Sequence, residues 1–240
     1  MSEAVDDQIM ALRRDFVLSV AEREEDIVAA QKLRYQVYCR ERNFLQGKDG
    51  HESDEYDDHS HQILLRHRSG EIIGTVRLIK SDPTQPHRSF PMQHVCGANV
   101  VHEYPLDKTA EISRFAISRD LRDHSKICDP LLRLALMRGV LEVSRKMGLG
   151  HWCAVMEPSL LRLLKRASVH FEQIGPAVDY HGQRIPVAAS IDAMLQRGRV
   201  ERPSLWQYVT DFGRLASPTG SRTLGTNRPK VRFQEFEKAA

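Results

Sequence analysis

Nine residues constrain this chain more than any others: Glu111-Ile112-Ser113-Arg114-Phe115-Ala116-Ile117-Ser118-Arg119. Polar and apolar side chains alternate, Ile and Phe recur, and Pro105 and Asp107 precede the run, which is the pattern of a β-strand. Regular alternation puts Glu111, Ser113 and Phe115 on one face and Ile112 and Arg114 on the other. A carboxylate and a guanidinium inside an otherwise apolar strand cost free energy unless they are paired or put to use. Two readings stay open on these residues alone, a structural ion pair in a sheet and a functional site.

The rest of the chain supports a globular setting for that strand. A length of 240 residues, with 41% hydrophobic and 28% charged residues, supplies a sizeable core. The net charge of +3 is accounted for by residues 216–240, which hold Arg222, Arg228, Lys230, Arg232 and Lys238 against Glu235 and Glu237. The body is therefore neutral, which argues against a nucleic-acid-binding face. Cys39, Cys96, Cys128 and Cys153 are widely spaced, so neither a zinc knuckle nor a redox pair is expected, and free thiols suit a cytoplasmic protein. The first ten residues carry Glu3, Asp6 and Asp7 and do not read as a signal peptide, and no apolar run is long enough to span a membrane.

The chain divides into a polar leader over 1–15 that also reads as a short helix, one domain over 16–215, and a basic tail over 216–240 that is expected to be disordered. A first strand is expected over 15–20 and a helix over 24–42, with acids in its first turn. Residues 43–58 read as a long acidic loop whose length suggests function. Residues 61–68 and 72–80 form the clearest hairpin, turning at Ser69-Gly70-Glu71. Residues 81–108 read as a Pro-rich loop with a short helix near Met92. A helix opens at Asp129-Pro130 and is stopped by Gly148. A strand over 151–156, a helix from Pro158 to about Ser168, two late strands over 170–174 and 185–191 around Tyr180-His181-Gly182, and a last helix over 203–215 complete the order. The fold class expected is α/β (α+β), a mixed and mainly antiparallel sheet with helices on both faces.

Four motifs occur along this order: Arg34 followed by Tyr38, Asp54-Glu55-Tyr56-Asp57, Gly74-Thr75-Val76-Arg77-Leu78, and Glu111-Ile112-Ser113-Arg114-Phe115. Over about residues 16–195 this resembles the GCN5-related N-acetyltransferase (GNAT) fold. More narrowly, it is similar to acyl-homoserine-lactone synthases, N-acyl amino acid synthases and the acyltransferases of PEP-CTERM exosortase systems. The resemblance implies a bacterial enzyme that moves a long acyl chain from a thioester to an amine, with no permanently bound cofactor. Phe44 stands where lactone synthases usually carry Trp, which favours an acceptor other than S-adenosylmethionine, such as an amino acid. The segment Arg119–Cys128 lacks the glycines with which ordinary GNAT loops close backbone N–H groups around the coenzyme A pyrophosphate. That favours acyl carrier protein over acyl-CoA as donor, with Arg119, Arg122 and Lys126 meeting the single pantetheine phosphate. Arg133, Arg138, Arg145 and Lys146 on the following helix then form a basic docking patch.

Amide formation from a thioester requires a neutral amine, a polarised carbonyl and a route for the proton. Glu111 is the candidate base, beside the alternative that it only orients the ammonium group. A bulge, which GNAT folds carry in this strand, would let Glu111 and Arg114 share a side and would aim backbone N–H groups at the carbonyl. Arg34, Asp54, Asp57 and Arg114 are expected to cluster at the acceptor site, and Arg77 either grips an acceptor carboxylate or snorkels to the surface. Phe44, Phe90, Phe115 and Trp152, with Met137 and Phe171, are candidates for the acyl channel and equally for ordinary core. His59 and His61 have no third ligand at defined spacing, so no metal is expected. Two other functions stay open, a true lactone synthase and a non-catalytic carrier-binding regulator.

Overall fold

The computed structural model describes residues 2–119 and 127–217. Helix α1 (Ser2–Asp15) leads into β1 (Phe16–Val20), and α2 (Glu24–Arg34) continues as a π-helical stretch, Tyr35–Glu41. Strands β2 (Ser60–His67) and β3 (Ile72–Lys80) form the expected hairpin, followed by α3 (Pro91–Cys96) and β4 (Thr109–Ile117). Then come α4 (Asp129–Lys146), β5 (His151–Met156), α5 (Pro158–Arg166), β6 (Glu172–Gln173), β7 (Val178–Asp179) and β8 (Gln183–Ser190). Two helices close the order, α6 (Ile191–Glu201) and α7 (Pro203–Val209). Spatially the sheet runs β1-β2-β3-β4-β5-β8-β6, with β7 paired to β8. Every pairing is antiparallel except β4 with β5.

The polar leader forms a helix, one of the readings its sequence allowed, and its Ile9 and Leu12 are buried in the main core. Two expectations need correction. The helix expected through residue 42 changes to π geometry at Tyr35, where turns widen and backbone bonds span five residues, as from the Arg42 N–H to the Val37 carbonyl at 3.1 Å. The second late strand was expected to reach Ile191, but it stops at Ser190, whose hydroxyl accepts from the Ala193 N–H, and α6 follows. Of the basic tail, residues 218–240 lie outside the described residues.

Strand period 2 divides the side chains cleanly. Ile63, Leu65, Val76, Leu78, Ile112 and Trp152 enter the main core with Leu132, Leu136 and Val140 of α4. The opposite face carries Gln62, Arg77, Ile79, Glu111, Ser113 and Cys153, with α2 and α3 on that side. Helix α4 approaches the sheet closely at Gly139, where a Cβ would lie 2.5 Å from Cγ2 of buried Ile63. Gly139→Leu is therefore expected to lower the unfolding free energy by about 1–3 kcal/mol through overpacking, as read by urea denaturation.

Candidate active site

The polar face of the sheet would be costly if its charges were unpaired. Arg34, at the end of α2, and Arg77, in the middle of β3, are fully buried, and Glu52 is 3% exposed. The Arg34 Nε donates to Glu52 Oε2 at 2.5 Å, and its Nη1 and Nη2 donate to Asp57 at 2.7 and 3.1 Å. Arg77 donates to both oxygens of Asp54 at 2.5 and 3.0 Å, to Asp57 at 2.8 Å, and to the Ser113 hydroxyl at 3.0 Å. Arg114 donates to Glu52 at 3.0 Å and to Asp54 at 2.8 Å. Gln62 adds a bond to Asp57 at 2.9 Å. Three guanidiniums thus meet three carboxylates, and the network is neutral.

Burial by itself would raise the Asp57 pKa. Hydrogen bonds from Arg34 and the charges of Arg34 and Arg77 overcome that and hold it at about 2. Glu52 and Asp54 are also held down, against burial, by their arginine partners. A depressed folded-state pKa contributes stability above the unfolded value and loses it on acidification. Acid unfolding followed by circular dichroism should therefore steepen as pH falls from 3.8 towards about 2, and Asp57→Asn should flatten that decline.

Beside this network the sheet splits. Strands β4 and β5 pair only at Thr109–His151, Ala110–Trp152 and Glu111–Cys153, and beyond Glu111 no ladder joins them. Val76 faces two residues of β4, because Thr75 pairs with Ala116 and Arg77 with Ser113. That bulge holds Arg114 at φ 50°, a left-handed conformation uncommon for a residue with a Cβ. The bulge re-aims Arg114 onto the network, and Glu111 and Arg114 both line the cleft between the splayed strands. The cleft has a volume of about 360 Å³. Met92, Val95, Ile112, Phe115, Val155, Met156, Leu160 and Leu163 supply its apolar surface.

Glu111 is 2% exposed. Its Oε2 accepts from the Met92 N–H at 2.9 Å, in the first turn of α3. Burial raises its pKa to about 7, against the pull of that N–H and of the Arg77 and Arg114 charges. A carboxyl that titrates near neutrality inside an apolar cleft can take a proton and pass it on.

Residues 33–129 match the family described as the acetyltransferase (GNAT) domain. No curated protein matches the chain significantly. Among solved structures, TofI, in a ternary complex with an inhibitor and MTA, superposes with a TM-score of 0.59 at 24% identity, covering 80% of this chain and 99% of that one. BjaI, a CoA-dependent acyl-homoserine lactone synthase with SAM and isopentyl-CoA, superposes at 0.57 and 23% identity, covering 85% and 89%. FeeM, an N-acyl amino acid synthase from uncultured soil microbes, superposes at 0.57 and 17% identity, covering 76% and 93%. The chain has the GNAT fold.

Within this GNAT sheet the expected site residues separate into three groups. Arg34, Asp54, Asp57, Arg77 and Arg114 meet in one network, and Glu111, Arg114, Phe44 and Phe115 line one cleft. Arg77 departs from both of its expected roles. It neither reaches the surface nor has its guanidinium turned to a ligand, because Asp54, Asp57 and Ser113 occupy it. Phe90 and Trp152 do not line the cleft. Phe90 packs in a second core with Ile79, Met92 and Cys153, while Trp152 faces α4 and donates to the Ser144 hydroxyl at 2.8 Å. Met137 and Phe171 also pack in or against the main core.

The donor-binding expectation fares differently along its length. Arg119 is exposed, its N–H 3.3 Å from Glu41 Oε1, and it is not among the cleft residues. Arg122 and Lys126 lie outside the described residues. The expected basic patch on α4 is largely consumed internally: Arg138 donates to Asp211 at 3.0 Å, and buried Arg145 donates to Asp192 at 2.5 Å. Arg133 pairs with Asp129 at 2.7 Å, lies over the Phe115 ring, and lines the cleft.

Sequence reasoning missed Glu52, Arg42, Glu157 and Arg184. Glu52 carries no signal that separates it from its acidic neighbours. Arg42, Glu157 and Arg184 come from three distant segments and meet only at the cleft mouth. Among the described residues no group of three or more His, Cys, Asp or Glu is arranged to hold a metal ion. No described helix is long and apolar enough to cross a membrane.

Proposed function

We propose that this protein is an N-acyltransferase that moves a long acyl chain from a thioester to the amine of an amino acid or similar acceptor. The observation that carries this reading is the position of Glu111, a carboxyl titrating near 7 at the wall of an apolar cleft between splayed strands. The acyl chain lies against Met92, Val95, Leu160 and Leu163. Ionised Glu111 accepts a proton from the acceptor ammonium, directly or through one water, and frees the nitrogen lone pair. That nitrogen attacks the thioester carbonyl, and backbone groups of β4 at the bulge stabilise the developing oxyanion. As the tetrahedral intermediate collapses, the C–N bond stays and the C–S bond breaks, and the nitrogen gives up its second proton, which the departing sulfur takes to leave as the thiol.

The donor is proposed to be acyl carrier protein rather than free acyl-CoA, because the Arg119–Cys128 segment lacks glycine. BjaI, one structural neighbour, is described as CoA-dependent, so the two donors must be compared directly. Acyl carrier proteins are acidic, so kcat/KM with that donor should fall as salt rises, by about tenfold between low and high ionic strength, while the acyl-CoA value changes little. Equal use of both donors with no salt effect rejects the carrier protein. A second reading is lactone synthesis from S-adenosylmethionine, which rests on the likeness to BjaI. Incubation of the protein with each donor and either S-adenosylmethionine or an amino-acid mixture, followed by mass spectrometry, separates the readings. Absence of any acylated amine rejects both.

A further inference from the structure

The central network is neutral, yet one edge of the cleft is not. Arg42, at the end of the π-helical stretch, donates to Glu157 Oε1, and Arg184 of β8 approaches the same oxygen at 3.4 Å. Two guanidiniums therefore share one carboxylate, leaving an excess of one positive charge. Both guanidiniums lie over the Phe44 ring, with the Arg42 and Arg184 Cζ atoms 5.5 and 5.4 Å from its centroid. His181 stacks on Phe44 at 6.1 Å, and Tyr180 stands edge-on to His181 at 4.6 Å. All six residues line the cleft that holds Glu111.

A guanidinium carries five N–H donors in a fixed fork. Among the described residues the Arg42 guanidinium donates to Glu157, and the Arg184 guanidinium donates to the Gln183 carbonyl at 3.0 Å. Donors are left over on both groups. Stacking on Phe44 holds the planar groups in place, and their desolvation by the ring strengthens attraction to an anion. Arg77 is committed to the network, so it does not compete for this task.

We propose that Arg42 and Arg184 form an anion subsite that holds the carboxylate of the acceptor, so that the acceptor is an α-amino acid with its acid group free. The inference rests on the reading that the acceptor is an amine, and it assigns recognition of the acid group to this pair. The other source of the same chemistry is the phosphate of the donor's pantetheine arm.

The test compares binding and turnover in wild type, Arg184→Gln and Arg42→Gln, with Arg184→Lys as the variant that keeps the charge. Binding is measured by calorimetry with an N-dodecanoyl amino acid and with its primary amide. Turnover is measured with the amino acid and its amide as acceptors, and with dodecanoyl-acyl carrier protein, dodecanoyl-CoA and the phosphate-free S-dodecanoyl-N-acetylcysteamine as donors. Wild type is expected to prefer acid over amide by roughly tenfold or more, as suits a charge-assisted bidentate contact. Each Gln variant should bring that ratio near one, and Arg184→Lys should keep part of it. An acid-to-amide ratio unchanged in both Gln variants overturns the proposal. So does a change confined to the CoA-to-cysteamine ratio, which would assign the pair to the phosphate. Turnover without any acid preference rejects this subsite and leaves the acyltransferase reading standing. Arginine-dependent binding of the acid without turnover does the reverse.

Discussion

Glu111→Gln is expected to lower kcat by about 10²–10⁴-fold, the range for removal of a general base. In wild type kcat/KM should rise with pH through about 7, as the buried carboxyl ionises, and then level off. The variant should lose that limb. Stability moves the other way, and this separates a chemical defect from misfolding. Burial raises the folded-state pKa from 4.5 to about 7, so the folded protein keeps a proton over a range where the unfolded chain has released it. That contribution is present in full below 4.5 and is lost as pH rises through about 7. Gln keeps the shape and still accepts from the Met92 N–H, but never ionises. The variant should therefore be at least as stable as wild type at pH 8, by thermal unfolding. Activity within tenfold of wild type, with the pH limb intact, would reduce Glu111 to a residue that orients substrate.

Arg77→Met is expected to remove about 3–5 kcal/mol of stability, because it strands Asp54 and Asp57 without their shared cation in a buried setting. The effect belongs to the broken pairing rather than to the ion pair as such. Coupling makes this checkable: Arg77→Met combined with Asp54→Asn should cost less than the two single changes together, by about 1–3 kcal/mol in a double-mutant cycle. Denaturant unfolding of the four proteins supplies the numbers. A single-mutant loss below about 1 kcal/mol would place the network with exposed pairs, which contribute little. Arg34→Met should behave like Arg77→Met, since Arg34 is equally buried and serves Glu52 and Asp57.

Much of the fold was legible because its signals are local. Ser69-Gly70-Glu71 between two apolar alternating runs specifies the β2–β3 hairpin, with Gly70 at φ 104°. Asp129-Pro130 and Gly148 bracket α4, and Gly148 takes φ 67° just past its end. The π-helical stretch was not legible, since widening a turn by one residue depends on what packs against it. Nor was α6, whose start rests on a single Ser hydroxyl in a run that also reads as a continuing strand.

At the site the same division holds. The residue types of the network were visible in sequence, and strand alternation alone put Glu111 and Arg114 on opposite faces. Only the pairing of β3 with β4 places the extra residue opposite Val76 and brings Arg114 round to Glu52 and Asp54. Which carboxylate meets which guanidinium is a matter of a few ångströms between segments far apart in the chain, so Glu52 was not singled out and Arg77 was offered to a ligand. Trp152 and Cys153 are neighbours in sequence, yet one faces α4 and the other Glu111, and the register of β5 against β4 decides which. The sequence by itself determined the strand, the hairpin and the set of charges that must be neutralised, because propensity and burial cost act residue by residue. The tertiary structure decided the opening between β4 and β5, the occupants of each guanidinium, and the two cations left at the mouth, because these depend on distances that no single segment contains.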